Sequence, residues 1–277
     1  MKVLAVGASG GFAGLIVPAL LQRGLEVRAM VHDPAKAEVP RSRGASEVVT
    51  GDLRDRDSLD AALRGVDGVF LITPAFAPDA TEMGLALVDA AVRAGVRKLV
   101  YSGVYHPSLS LVNHASTRPI EEAIYRSDLE FTVLQPAMFM QGLAGAWEQA
   151  LDTGRVVMPW SKMSAMTYVD YRDVAAVAAV AFAEDTLTYG VFELAAPGMV
   201  DRVQLAELMS AAAGRPLLAE DPPPDNGPPA AGPQGLQAMF ADYDRYGFHG
   251  GNALVLRSIL GRGPRTLQSY LQELAGT

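Results

Sequence analysis

Residues Met1–Ala13 read MKVLAVGASGGFA, and the punctuation of that stretch decides the fold. Val3–Val6 make a short apolar strand, Gly7 and Gly10 break it, Ala13 follows three residues later, and Leu15–Leu21 continue as an apolar, helix-like run. A strand, a glycine turn and a helix at this spacing predict a dinucleotide site. Gly7 lets the chain turn sharply off the strand, and Gly10 lets backbone approach a pyrophosphate with no Cβ in the way. A small residue at 13 lets helix and strand pack closely. Ser9, Gly10, Gly11 and Phe12 then carry the N–H groups that meet the diphosphate. Pro18 cannot donate to the carbonyl one turn back, which predicts a local distortion of that first helix.

Working outward, apolar runs alternate with helical patterns through the first half of the chain. Strands are expected at Val3–Val6, Val27–Val31, Glu47–Val49, Gly68–Ile72, Lys98–Tyr101 and Phe131–Leu134. Helices are expected at Ala13–Arg23, after Pro34, and at Ser58–Arg64, Thr81–Ala94 and Pro119–Arg126, with Gly95 as a stop. This alternation specifies an α/β fold, a Rossmann-type doubly wound parallel sheet with a smaller α-rich C-terminal lobe. Residues 1–155 read as the nucleotide-binding domain and 156–277 as the smaller lobe, with 168–196, including the strand Val191–Leu194, returning to the sheet. Glu220–Pro233 carries repeated prolines without an apolar period and reads as a loop or lid. No internal repeat is present.

Composition narrows the function classes. With 49% hydrophobic and 19% charged residues, the 277-residue chain has a large core and a soluble character. A net charge of −8 argues against nonspecific binding to nucleic acid or anionic membrane. The absence of cysteine rules out disulfides and thiolate metal sites. The sequence opens on a strand rather than a charged-then-apolar leader, and it has no apolar run of bilayer length, so a cytoplasmic location is expected.

The end of the second strand predicts which nicotinamide cofactor is held. A carboxylate there would accept from the adenine ribose and repel a 2′-phosphate, but the position holds Val31, followed by His32 and Lys36, both able to face a phosphate. Asp33-Pro34 fits a helix cap followed by proline in the first turn, the reading preferred here over Asp33 as a ribose ligand. Asp52 and Leu53 end the third strand, where an adenine ring is expected. Thr73-Pro74 and Ser102-Gly103 end the fourth and fifth strands and should border the ribose and nicotinamide. NADP(H) is the expected cofactor, with NADPH preferred over NADH.

Taken together, Gly7–Gly10, Val27–Lys36, Gly51–Leu53, Val69–Pro74, Thr132–Pro136 and Tyr168–Val174 resemble the NmrA-like group of atypical short-chain dehydrogenases, as do the later Gly251-Asn252 and Leu260–Arg262. The resemblance covers nearly the whole chain. It implies an NADP(H)-binding core reaching to Pro136 and a C-terminal lobe over a substrate cleft. It also implies relatives among quinone oxidoreductases, triphenylmethane dye reductases and non-catalytic redox-sensing regulators. Three departures stand out. His32 and Gln135 stand where arginine is usual, and no tyrosine has a lysine four residues on, so the usual proton relay of short-chain dehydrogenases does not carry over.

Hydride transfer asks mainly that the nicotinamide be set against an acceptor and water excluded. The proton-donor candidates follow the fifth strand: Tyr105, His106 and His114, with Tyr105 and His114 in front. Glu121 matches an acid common at this place in the family. Phe76, Tyr105, Phe139, Met140, Trp160 and Met163 are expected to wall an apolar pocket for a planar substrate, although methionines and aromatics at such spacing equally serve as core. Two functions stand. One is an NADPH-dependent reductase of a quinone or similar conjugated small molecule, without metal or flavin. The other is an NADP(H)-sensing protein that signals to a protein partner. A nucleotide-sugar epimerase fits less well because that chemistry leans on the missing tyrosine–lysine pair. Helices of the fourth and fifth βα units offer a face for a homodimer.

Overall fold

The computed structural model describes residues 1–222 and 234–276. In chain order the elements begin with β1 (Lys2–Val6), α1 (Ile16–Gln22), β2 (Glu26–Val31), α2 (Glu38–Ser42), β3 (Glu47–Thr50), α3 (Arg56–Ala62), β4 (Gly68–Ile72) and α4 (Ala80–Arg93). β5 (Lys98–Ser102), α5 (Val112–Ala115), α6 (Arg118–Tyr125), β6 (Glu130–Pro136) and β7 (Met138–Phe139) follow. The rest comprises α7 (Ala144–Thr153), β8 (Arg155–Val157), β9 (Tyr168–Val169), α8 (Tyr171–Ala183), β10 (Gly190–Leu194), α9 (Arg202–Ala213), β11 (Leu218–Glu220), α10 (Gln234–Tyr246), α11 (Leu254–Leu260) and α12 (Leu267–Ala275).

Two compact units emerge. The first holds Met1–Ser110, His114–Gln135 and Val174–Glu193; the second holds Leu111–Asn113, Pro136–Asp173 and Leu194–Thr277. The division therefore falls at the end of β6 rather than at residue 156. Past Pro136 the chain pairs locally, Met138 with Tyr168 and Phe139 with Val169, as the β7–β9 ribbon.

The first unit is built on a parallel sheet which, among the described residues, has seven strands in the order β10-β6-β5-β4-β1-β2-β3. The order reverses direction between β1 and β4, the crevice where such sheets bind ligands. Helices cover both faces, so central strands are buried through and through, as at Lys98–Ser102. Leu4, Val69, Leu71, Leu99 and Val133 of the strands join Leu59, Met83, Leu87, Ile120 and Ile124 of α3, α4 and α6 in one apolar cluster. Gly95, at φ +69°, ends α4 as expected, and Val96 N–H returns to the Ala91 carbonyl.

Pro18 leaves its mark. The chain makes a 3-10 turn over Ala13–Leu15 before α1 begins at Ile16, which places the proline in the first α-helical turn, where a missing N–H costs nothing.

In the second unit α9 packs against α12, and β8 pairs in parallel with β11. Of the proline-rich Glu220–Pro233, Glu220 closes β11, while residues 223–233 lie outside the described residues. Among the described residues no helix is long and apolar enough to cross a membrane.

Candidate functional site

The glycine turn leaves β1 at Gly7 with φ +69°, a left-handed conformation that a side chain would strain. Gly10 N–H donates to the Gly7 carbonyl at 2.8 Å, and Gly14 N–H donates to the Gly10 carbonyl at 3.2 Å, so the turn closes on itself and feeds the 3-10 segment. A Cβ on Gly10 would stand 3.1 Å from the Gly7 oxygen, whereas one on Gly11 would meet nothing within 4 Å. Open space in front of Gly11, together with an exposed Phe12, leaves the backbone accessible to a diphosphate. The residues present therefore fit a dinucleotide.

At the neighbouring strand ends, His32 is exposed, with Nδ1 3.9 Å from Asp52 Oδ2, and Lys36 is exposed too. Asp33 accepts from Ala35 N–H at 2.9 Å through Oδ1 and caps the short helical turn Pro34–Lys36. Asp52 accepts from Arg54 N–H, and its own N–H donates to Ser58 Oγ. Leu53 belongs to the apolar cluster. One cation was not legible beforehand. Arg43, just past α2, sends Nη1 to the carbonyls of Ala8 (3.0 Å) and Gly10 (3.1 Å).

The ends of β4 and β5 carry two unusual backbones, Phe76 at φ +64° and His106 at φ +54°. Non-glycine residues there are strained and tend to mark working loops. Thr73 and Pro74 follow β4 directly, Ser102 is buried, and Gly103 N–H donates to the Leu134 carbonyl at 2.9 Å. Tyr105 is buried against the His106 ring, with centroids 4.1 Å apart. Burial, reinforced by Glu193, pushes its phenol above the ordinary value, so it stays protonated at neutral pH. His106 Nδ1 lies 2.9 Å from Glu193 Oε1, and His114, fully buried, holds the His106 carbonyl through Nδ1 at 3.0 Å. Tyr105, His106 and His114 thus form one assembly, with Glu193 of β10 as its carboxylate. The buried Glu121, whose Oε1 would lie 3.4 Å from a Cβ on Gly103, accepts from Gln135 Nε2 (3.1 Å) and Tyr125 Oη (2.9 Å). Gln135, where the family usually has arginine, serves as the neutral partner of that acid, and Pro136 ends the same strand.

The remaining pocket candidates belong to the second unit. Phe139 packs edge-on to Tyr171 at 4.6 Å, Met140 is fully buried, Trp160 packs among Phe240 and Tyr243, and Met163 is 67% exposed.

The Tyr168–Asp173 segment proves to be a charge clamp. Fully buried Asp170 accepts from Gln141 Nε2, Arg172 N–H and the Arg172 guanidinium. Fully buried Asp173 accepts from Arg265 N–H (2.7 Å), the Arg265 guanidinium and Arg262 Nη2 (2.6 Å). Burial pushes the Asp170 carboxyl up, but Arg172 and the donated hydrogen bonds outweigh it and hold the group below its usual range. Its stabilisation is therefore complete above the unfolded value of about 3.9 and is lost as pH falls through the lower folded value. Urea midpoints followed downward from pH 5 should fall less steeply below about pH 4 in Asp170→Asn than in the parent, and equal slopes would remove this group from the acid response.

The NmrA-like family model matches residues 1–228. The chain belongs to the NmrA-like family. Among NmrA-like relatives it is 32% identical to an NAD(P)H azoreductase of Xenophilus azovorans over 224 residues, covering 78% of this chain and 75% of that protein. It is 25% identical to quinone oxidoreductase 2 of Escherichia coli strain K12, covering 97% and 96%. The NmrA-like fold is shared with the crystal structure of a Citrobacter sp. triphenylmethane reductase complexed with NADP(H), at a TM-score of 0.85 and 20% identity, over 99% of this chain and 100% of that one.

Proposed function

We propose that this NmrA-like chain is a cytoplasmic NADPH-dependent reductase of a quinone or a similar apolar, conjugated small molecule. The observation that carries it is the Gly7–Gly14 turn, left-handed at Gly7 and clear in front of Gly11, beside a second strand whose end offers His32 and Lys36 and is followed by Asp33, which caps the next helical turn. The azoreductase and quinone oxidoreductase relatives support the acceptor class.

In this reading Ser9, Gly10, Gly11 and Phe12 hold the diphosphate, His32 and Lys36 face the 2′-phosphate, and Asp52 and Leu53 flank the adenine. Thr73, Pro74, Ser102, Gly103 and Pro136 border the ribose and nicotinamide. Bound there, NADPH would supply the hydride for the acceptor. A quinone that takes the hydride also takes one proton to become a hydroquinone. Tyr105 holds that proton on its phenol, and His114 positions the loop through the His106 carbonyl. Of the apolar candidates for the acceptor, Phe76 lies with Tyr105 in the first unit, while Phe139, Met140, Trp160 and Met163 lie in the second, where Met140 is fully buried.

The test is calorimetric titration of the cofactor-free protein with NADPH and NADH, followed by NADPH oxidation with added quinones and azo dyes. NADPH should bind at least about tenfold more tightly than NADH, a difference of ~1.4 kcal/mol, and acceptors should sustain turnover. Binding without turnover, accompanied by a change in association with a partner protein, is the outcome for the sensor reading, which the absent tyrosine–lysine pair favours. No binding of either nucleotide would sink both.

A further inference from the structure

Arg43 is unusual among the cations of the first unit. Among the described residues it has no carboxylate partner, and it bonds through Nη1 alone, to two carbonyl oxygens of the glycine turn. Its guanidinium occupies space that exists only because residue 14 is glycine: a Cβ there would lie 1.5 Å from Nη1. The arginine lies in the same β2–β3 connection as His32 and Lys36, and Ala8 N–H, donated to the Met30 carbonyl, ties the turn to the end of β2. A half-buried cation without a counter-ion is costly, and a planar guanidinium docked by one nitrogen keeps its remaining donors for a multi-oxygen anion.

The geometry points to Arg43 as the fixed charge that recognises the 2′-phosphate of the cofactor, with the exposed His32 and Lys36 as its mobile companions. The inference rests on the NADPH reading above and adds the residue that sets the preference. Two carbonyls hold the guanidinium in place before the nucleotide arrives, so little side-chain entropy remains to be lost on binding.

The experiment compares NADPH, NADH, 2′,5′-ADP and 5′-AMP by calorimetry on the full-length protein and on Arg43→Ala and Arg43→Lys. Arg43→Ala should weaken NADPH and 2′,5′-ADP by about ten- to a hundredfold and leave NADH and 5′-AMP nearly unchanged, with Arg43→Lys between. An equal loss for phosphorylated and unphosphorylated nucleotides would make Arg43 a prop of the glycine turn and overturn the assignment. Selectivity retained in Arg43→Ala would overturn it as well. Should the alanine variant not fold, phenylglyoxal labelling of the unmutated protein, mapped by mass spectrometry, gives the same answer. Protection of Arg43 by 2′,5′-ADP but not by 5′-AMP supports the proposal, and equal labelling with both refutes it. An unmutated protein that binds none of the four nucleotides rejects the cofactor reading itself, a result distinct from binding whose selectivity ignores Arg43.

Discussion

Asp173→Asn is expected to lower the unfolding free energy by about 2–4 kcal/mol, the loss typical when a buried carboxylate serving charged donors is neutralised. Asp173 is fully buried and gathers Arg262, the Arg265 guanidinium and the Arg265 backbone N–H. An asparagine amide turns its NH₂ toward at least one of these donors and leaves a buried group facing another donor. Both arginines are partly exposed, so each can turn to water, which keeps the cost below that of a fully enclosed pair. Arg265→Ala should cost about 1 kcal/mol, because Asp173 then keeps Arg262 and the backbone donor. Urea unfolding gives the energies, and amide exchange gives the place: α12 should lose protection first in Asp173→Asn. Unchanged exchange across α12 would mean that this carboxylate does not anchor the C-terminal segment.

Gly14→Val is expected to cost about 2–4 kcal/mol and to weaken NADPH binding by tenfold or more, on the scale of overpacking in a closed site. Any Cβ at residue 14 stands 2.6 Å from the Ala8 carbonyl oxygen as well as on top of the Arg43 guanidinium. The side chain could swing away, but the backbone of the glycine turn cannot without opening its hydrogen bonds. Gly142→Ala is the control, since a Cβ there meets nothing within 4 Å, and it should lie within about 0.5 kcal/mol of the parent. If both variants match the parent in nucleotide affinity, the close approach at Gly14 has no bearing on the site.

The seven sheet strands were readable because each is a short apolar run bounded by turn residues. Gly68–Ile72 agrees at both ends, and Lys98–Tyr101 extends by Ser102 alone. Short strands of the second unit were not readable: β7 and β9 have two residues each, too few for any periodicity, and exist because they pair with each other. The first helix read as continuous from Ala13 because the 3-10 turn before Pro18 has the same apolar content as a helix. Within the candidate site, the glycine turn announces itself through spacing, and so does Asp33 through the proline after it. Arg43 does not, since arginines are common and its partners are carbonyls thirty-odd residues away. Gly14 was the available signal, a glycine placed where the turn itself did not require one. Glu193 is joined to His106 across 87 residues, and Arg262 and Arg265 to Asp173 across 89 and 92, separations that no local pattern encodes.

Strand β10 occupies one border of the sheet, next to β6, yet in sequence it comes after the excursion of Pro136–Asp173 into the second unit. During synthesis the first six strands therefore leave the ribosome with β6 as an unpaired margin, and Thr132 Oγ1 lacks its acceptor, the Leu187 carbonyl. An unpaired β6 is a surface for misassociation between nascent chains. A fragment ending at residue 135 would carry the glycine turn complete but that border open. An isolated nucleotide domain accordingly closes that border of its sheet only when residues 174–193 are grafted back.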